Sequence, residues 1–237
     1  MHRVEDANTN WYVVEGDDGL TIVDAGVPDS WGSLLDALVQ LGRQPADVRA
    51  LVLTHAHFDH VGFAERARVE LRVPVYVHER DLSLTRHPTR YEHERSRIPY
   101  LTTQVHAMPI VAAFVRHRAF WPTPLSEATT YVDGELPVPG RPRVVPSPGH
   151  TFGHCALHLP DRGVLLAGDA VVTLDPYTGR TGPRIVARAA TADSALNLAS
   201  LDALAATGAA TVLTGHGEPW REGAETIVAA ARAAPVA

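Results

Sequence analysis

Thr54-His55-Ala56-His57-Phe58-Asp59-His60-Val61-Gly62 brings three imidazoles and a carboxylate into six positions, directly after the apolar run from Val48 to Leu53. The apolar run is β-branched and leucine-rich, so it reads as a strand buried on both faces. The histidines therefore leave at its C-terminal end, where α/β sheets place their chemistry. Imidazole nitrogen and carboxylate oxygen are borderline donors that zinc, iron or manganese accept, and a turn lets side chains two residues apart converge on one ion. A polar loop that happens to be rich in histidine is the alternative.

Working outward, Asn10 to Val14 and Leu20 to Asp24 read as two strands joined at Gly16-Asp17-Asp18-Gly19, with Asp24-Ala25-Gly26 closing the second. Ser30 is placed to cap a helix running to about Leu41, with Trp31, Leu34, Leu35, Leu38 and Leu41 at helical spacing. Gly62 to Leu71 reads as helix and Val73 to Val77 as strand. From Glu79 to about Thr130 the alternation breaks into an Arg-, His- and Pro-rich stretch with a helix expected over Thr102 to Phe120. In that helix Val105, Met108, Val111, Ala112 and Val115 lie near one side, and Pro109 either kinks it or marks its true start. The aromatic residues Tyr91, Tyr100, Phe114, Phe120 and Trp121 suit a pocket wall, so we read residues 79–130 as a helical insertion over the site; a packed helical hairpin without a substrate role is the alternative. Strands follow at Arg143 to Val145, Ala156 to Leu159, Val164 to Leu166 and Thr211 to Leu213, with helices from Ala192 to about Ala206 and Ala224 to Ala233. Strands and helices in two similar halves predict a single α/β domain over 1–237, two packed sheets covered by helices on both sides.

The net charge of −6, from 27 acidic and 21 basic residues, argues against a sequence-independent grip on nucleic acid. The start, Met1-His2-Arg3-Val4-Glu5-Asp6, carries no apolar signal-peptide stretch and no segment reaches a membrane span, so a cytoplasmic protein acting on a small molecule, with no membrane partner, is expected. The one cysteine, Cys155, excludes an intrachain disulfide and reads as a small buried hydrophobe.

Three later positions share the character of the first cluster: His150 in Pro148-Gly149-His150-Thr151-Phe152-Gly153-His154, Asp169 in Leu165-Leu166-Ala167-Gly168-Asp169, and His216 in Val212-Leu213-Thr214-Gly215-His216-Gly217. Glycine beside each lets the backbone turn sharply and approach an ion. With Asp24-Ala25-Gly26 before it, this ordered set resembles the metallo-β-lactamase-fold hydrolase superfamily across essentially the whole chain. The resemblance implies a four-layer αββα sandwich with two metal ions, zinc first with iron or manganese possible, at one edge between the sheets. It assigns His55, His57 and His150 to the first ion, Asp59, His60 and His216 to the second, Asp169 to both, and Asp24 to a supporting position. Three neutral histidines on one ion, and two histidines with a carboxylate on the other, leave open positions as catalytic sites do. The implied reaction is attack on a carboxylic ester, thioester or lactone by a hydroxide shared between the metals, with Asp59 orienting it.

A bridging aspartate at Asp169 resembles the glyoxalase II-like, lactonase-like and phosphodiesterase-like branches rather than the β-lactamase branch, and His57 stands where flavodiiron relatives place glutamate. The helical extension of glyoxalase II is not evident after His216. Lactonase-like enzymes carry a tyrosine soon after the bridging aspartate; Tyr177 lies further along than that pattern, a candidate oxyanion donor out of register. Arg180 and Arg184 are either solvated loop residues or placed at the site mouth to meet a carboxylate or phosphate. His154 is open between ligand and structural residue, whereas His78, His87, His93, His106, His117 and His158 read as surface or packing residues. Two rival readings stand beside the hydrolase: a mononuclear iron oxygenase similar to persulfide dioxygenases, using His55, His150 and Asp169, and a phosphodiesterase or non-catalytic metal-binding protein.

Overall fold

Two sheets meet face to face, and the apolar alternation along their strands dictates which side chains go between them. The computed structural model describes residues 1–237, with the side chains of residues 101 and 102 outside the description. The first half contributes β1 (His2–Asp6), β2 (Thr9–Gly16), β3 (Gly19–Val23), α1 (Trp31–Gln40), β4 (Val48–Val52), α2 (Ala64–Glu70), β5 (Val75–His78), α3 (Ile98–Thr103), α4 (Met108–Arg116) and β6 (Thr129–Tyr131). The second half contributes β7 (Gly134–Glu135), β8 (Arg143–Pro146), β9 (Cys155–Leu159), β10 (Val164–Gly168), β11 (Val172–Leu174), β12 (Thr181–Arg184), α5 (Ser194–Ala205), β13 (Thr211–Thr214) and α6 (Ala224–Ala233). One sheet runs β1-β2-β3-β4-β5-β6, the other β13-β10-β9-β8-β7, and β11 pairs with β12 alone.

Between the sheets lie Tyr12, Val14, Val23, Ala50 and Val52 from one side and Cys155, Leu157, Leu159, Leu166 and Leu213 from the other. The alternate positions Trp11, Val13, Leu20, Ile22 and Leu51 turn outward onto α1 and α2. Ala156, Leu165 and Val212 turn outward onto α5 and α6, through Leu201, Leu204 and Ile227. Burial on both faces explains why the central strands read as near-continuous apolar runs, and it establishes the expected αββα layering. Parallel pairing of β3 with β4 and of β10 with β13 brings four strand ends, and the loops that follow them, to the same edge.

Local departures from the sequence reading have local causes. Ser30 does not cap α1; its hydroxyl accepts from the Val27 amide at 3.2 Å inside a preceding turn. Asp193, extended and accepting from the Leu196 amide at 2.8 Å, starts the helix expected from Ala192 two residues later. The single helix expected over Thr102 to Phe120 is two: α3 ends at Thr103, and Pro109 stands in the first turn of α4, where its missing N–H costs nothing. Accordingly the buried face of α4 is the i, i+4 pair Ile110 and Phe114, while Val105, Met108 and Val115 are exposed. Ile110 and Phe114 pack with Phe58 and Tyr91, and so α4 lies over the loop that follows β4. The edge strand β1 and the β11–β12 hairpin were outside the sequence reading, being short and polar or irregular.

Candidate metal centre

The loops at the C-terminal ends of β4, β8, β10 and β13 deliver His55, His57, Asp59, His60, His150, Asp169 and His216, all at 5% exposure or less, so the structure assembles every one of the seven sequence candidates in one buried cluster. Ring or carboxylate atoms of His55, His57 and His150 lie within 4.8 Å of one another, as do those of Asp59, His60 and His216. Asp169 stands between the groups, its carboxylate 3.5 Å from His150 Nε2, 3.6 Å from His60 Nε2 and 3.2 Å from His216 Nε2. Asp59 Oδ2 lies 3.3 Å from His216 Nε2, and His57 Nδ1 lies 2.9 Å from His150 Nε2. A Cβ at Gly215 would overlap Asp169 Oδ1, which is why the residue before His216 has no side chain.

The outer nitrogens of three histidines are occupied. His60 Nδ1 meets Asp24 Oδ2 at 3.1 Å, His216 Nδ1 meets the Asn8 carbonyl at 2.7 Å, and His55 Nδ1 meets the Thr54 hydroxyl at 3.1 Å. Each contact puts a proton on Nδ1, so that Nε2, turned inward, is the atom left to a cation once its own proton is released. Those inward atoms, Nε2 of His55, His60 and His216, have no hydrogen-bond partner although buried, and neither has Asp169 Oδ1. Buried polar atoms are normally paired, and orphans that converge from three loops fit cations as their missing partners.

Charge in the cluster follows the same division. Burial, reinforced by the neighbouring imidazoles, holds His55 and His57 well below the ordinary histidine value and takes His150 down to about 3. For His60 and His216 burial acts in the same direction, but Asp169 and Asp59 outweigh it and raise both. Burial would raise Asp169 and Asp59; His216 and His60 overcome it and hold both carboxyls down. The cluster is thus a set of ionised carboxylates and partly neutral imidazoles, a donor set that divalent cations accept with release of protons.

Asp24 sits at φ 62, a backbone region that Asp tolerates better than most residues. Its carboxylate takes the Thr54 amide at 2.7 Å and the Thr54 hydroxyl as well as His60, locking the start of the histidine loop. His154 has both ring nitrogens in use: Nδ1 meets Ser147 Oγ at 2.8 Å and Nε2 accepts from the Asp169 amide at 3.0 Å. It therefore positions Asp169 and has no lone pair for an ion. Asp81, buried at 2% exposure, accepts from the Ala56 amide at 3.0 Å, the Thr151 hydroxyl at 2.7 Å and the Gly153 amide at 2.8 Å, which ties the His55–His57 loop to the His150 loop. The sequence reading missed Asp81 and Ser147; within Glu79-Arg80-Asp81 nothing separates a buried latch from a solvated charge.

Tyr177 is not among the cluster residues. Its hydroxyl bonds that of Tyr91, and the Tyr91 ring lies 4.0 Å from the His57 ring. Arg180 is exposed, and Arg184 donates to the carbonyls of Gly182 and Thr181 at 3.0 and 2.6 Å. Cys155 is buried and its thiol is pushed up to about 12, first by burial, which removes it as a nucleophile near neutral pH. Among the described residues, no helix is long and apolar enough to cross a membrane.

Comparison with known proteins places this geometry. Residues 4–216 match the family model described as the metallo-beta-lactamase superfamily. Over 164 residues the chain is 31% identical to the probable metallo-hydrolase YflN of Bacillus subtilis, covering 65% of this chain and 56% of YflN. It is 28% identical to a hydroxyacylglutathione hydrolase of Gloeobacter violaceus, covering 72% of this chain and 52% of that enzyme. The chain thus spans little more than half the length of these two relatives. Among solved structures, TTHA1623 in a di-iron-bound form superposes with a TM-score of 0.65 at 27% identity, covering 95% of this chain and 96% of that one.

Proposed function

Because the chain belongs to the metallo-beta-lactamase superfamily, we propose that it is a two-metal hydrolase of a carboxylic ester, thioester or lactone. The observation that carries this reading is the convergence of buried, partnerless Nε2 atoms of His55, His60 and His216 with Asp169 Oδ1. We assign His55, His57 and His150 to one ion, Asp59, His60 and His216 to the second, and Asp169 to both. Two divalent cations held there supply Lewis acidity toward water and toward the scissile carbonyl. The remaining work belongs to the chain. Asp24 and the Asn8 carbonyl keep His60 and His216 in the tautomer that presents Nε2, and His154 fixes the backbone from which the Asp169 carboxylate projects. Asp59, within 3.4 Å of the Thr9 hydroxyl, is turned toward the shared space and orients the attacking water. Tyr91, whose hydroxyl pairs with that of Tyr177, closes one wall beside His57 and offers a proton to an oxygen developing charge.

Kinship with a hydroxyacylglutathione hydrolase supports thioesters within this class, and a small apolar cavity behind Phe58 supports a small-molecule substrate rather than a polymer. Within a single 1–237 domain, residues 79–130 form the pocket wall. Zinc is the cation we assign, and the di-iron form of TTHA1623 favours iron as the second reading. The convergence of His57 with His55 and His150 within 4.8 Å supports a three-histidine set over the two-histidine set of an iron oxygenase. Replacing His55 or Asp169 by alanine is expected to abolish hydrolysis across ester, thioester and lactone panels while the circular dichroism spectrum stays native. Turnover retained by either variant would refute the assignment.

A further inference from the structure

Beside the metal cluster the insertion encloses an apolar cavity of about 140 Å³, lined by Phe58, Tyr91, Arg97, Met108, Phe114 and Tyr177 among others. Phe58 stands between His57 and Asp59 in the histidine loop, and the Tyr91 ring lies against His57, so the cavity shares two walls with the cluster. A cavity of roughly this volume, lined by apolar side chains, holds a benzene ring.

One wall is cationic. The Arg97 guanidinium lies 4.0 Å from the centre of the Tyr91 ring, and its only hydrogen bonds among the described residues are long ones, to the Thr89 carbonyl at 3.4 Å and the Tyr91 carbonyl at 3.5 Å. Its Nε is buried without a partner, and no carboxylate among the described residues pairs with it. A guanidinium presents five donors in a fork that matches a carboxylate, and this one lines an aromatic cavity with only long backbone contacts to hold it. The arginines at 180 and 184 do not compete for this role: one is exposed and the other is engaged by its own loop carbonyls.

We propose that this cavity binds an apolar, ring-sized arm of the substrate that carries a carboxylate, with Arg97 pairing with the carboxylate while the scissile bond lies at the metal cluster. The cavity's role in substrate choice rests on the hydrolase reading, whereas its binding of such an anion does not.

Calorimetric titration of the metal-loaded full chain with 3-phenylpropionate, and with its uncharged amide, tests the proposal. The acid is expected to bind at least tenfold more tightly than the amide, and Arg97→Gln to erase that preference. Val111→Phe, which places a ring into the cavity from α4, is expected to remove binding of both. Equal binding of acid and amide by the unmodified chain, no binding of either, or an undiminished preference in Arg97→Gln would each overturn the proposal. If the preference holds but no ester, thioester or lactone is hydrolysed, the anion-binding cavity stands and the hydrolase reading fails.

Discussion

Replacing Asp81 by alanine tests whether the two histidine loops are held together by one buried carboxylate. Three donors converge on it, the Ala56 and Gly153 amides and the Thr151 hydroxyl, at 2.7 to 3.0 Å. Burial holds the Asp81 carboxyl above the ordinary carboxylate range in spite of these bonds, so the negative charge itself adds no stability. The loss in alanine comes from the orphaned donors, each costing about 1–3 kcal/mol when buried. Allowing for partial relaxation and water entry, Asp81→Ala should lose about 3–6 kcal/mol in total. Asparagine keeps one acceptor oxygen, and Ala56 and Thr151 both use the same carboxylate oxygen, so an amide oxygen in that place keeps two of the three bonds. Asp81→Asn should therefore lose only about 1–3 kcal/mol, the cost of the Gly153 amide facing an NH₂ group. Urea denaturation of the metal-stripped protein followed by tryptophan fluorescence measures both. A loss under about 1 kcal/mol in Asp81→Ala, or equal losses in the two variants, would refute the donor-counting argument.

Other perturbations act at separate places. A methyl at Gly215 would overlap Asp169 Oδ1 and crowd the His60 ring, so Gly215→Ala should weaken metal binding about 10–100-fold in a chelator competition while the far-ultraviolet spectrum stays native; unchanged affinity would contradict the packing there. Glu65 joins α2 to Ser126, and Arg68 first, then Ser126, hold its carboxyl at about 2 against an ordinary value of 4.5. Because the folded value is the depressed one, the stabilisation is present above about pH 4.5 and is lost as the pH falls toward 2. Glu65→Gln should thus cost about 1 kcal/mol at pH 7 and nothing near pH 2, and a pH-independent cost would reject the ion-pair origin.

Much of the fold was legible because its central strands are buried on both faces. Val48 to Leu53, Val164 to Leu166 and Thr211 to Leu213 stand out as apolar runs, and each is followed within a few residues by a ligand-type side chain. Glycine marked the same places for a steric reason visible at Gly215, where any side chain would meet Asp169. Asp24 was legible only through the family pattern; what it does became clear once its carboxylate was seen on Thr54 and His60. Asp81 was hidden because burial of a charged residue leaves no trace in composition when its partners are backbone amides from loops far along the chain. The insertion read as one helix because Pro109 fits both a kink and a start, and only packing of Ile110 and Phe114 against Phe58 selects the start. Arg97 could not be told from the neighbouring Arg90 and Arg95, since its distinction is an unanswered donor in a cavity.

The central claim is a two-cation site, and elemental mass spectrometry tests it most directly. The chain would be loaded with excess zinc, dialysed against metal-free buffer and counted for ions per chain, with a His60→Ala variant alongside. Two ions in the unmodified protein and one in the variant are the predicted result; one ion or none in the unmodified protein would contradict it.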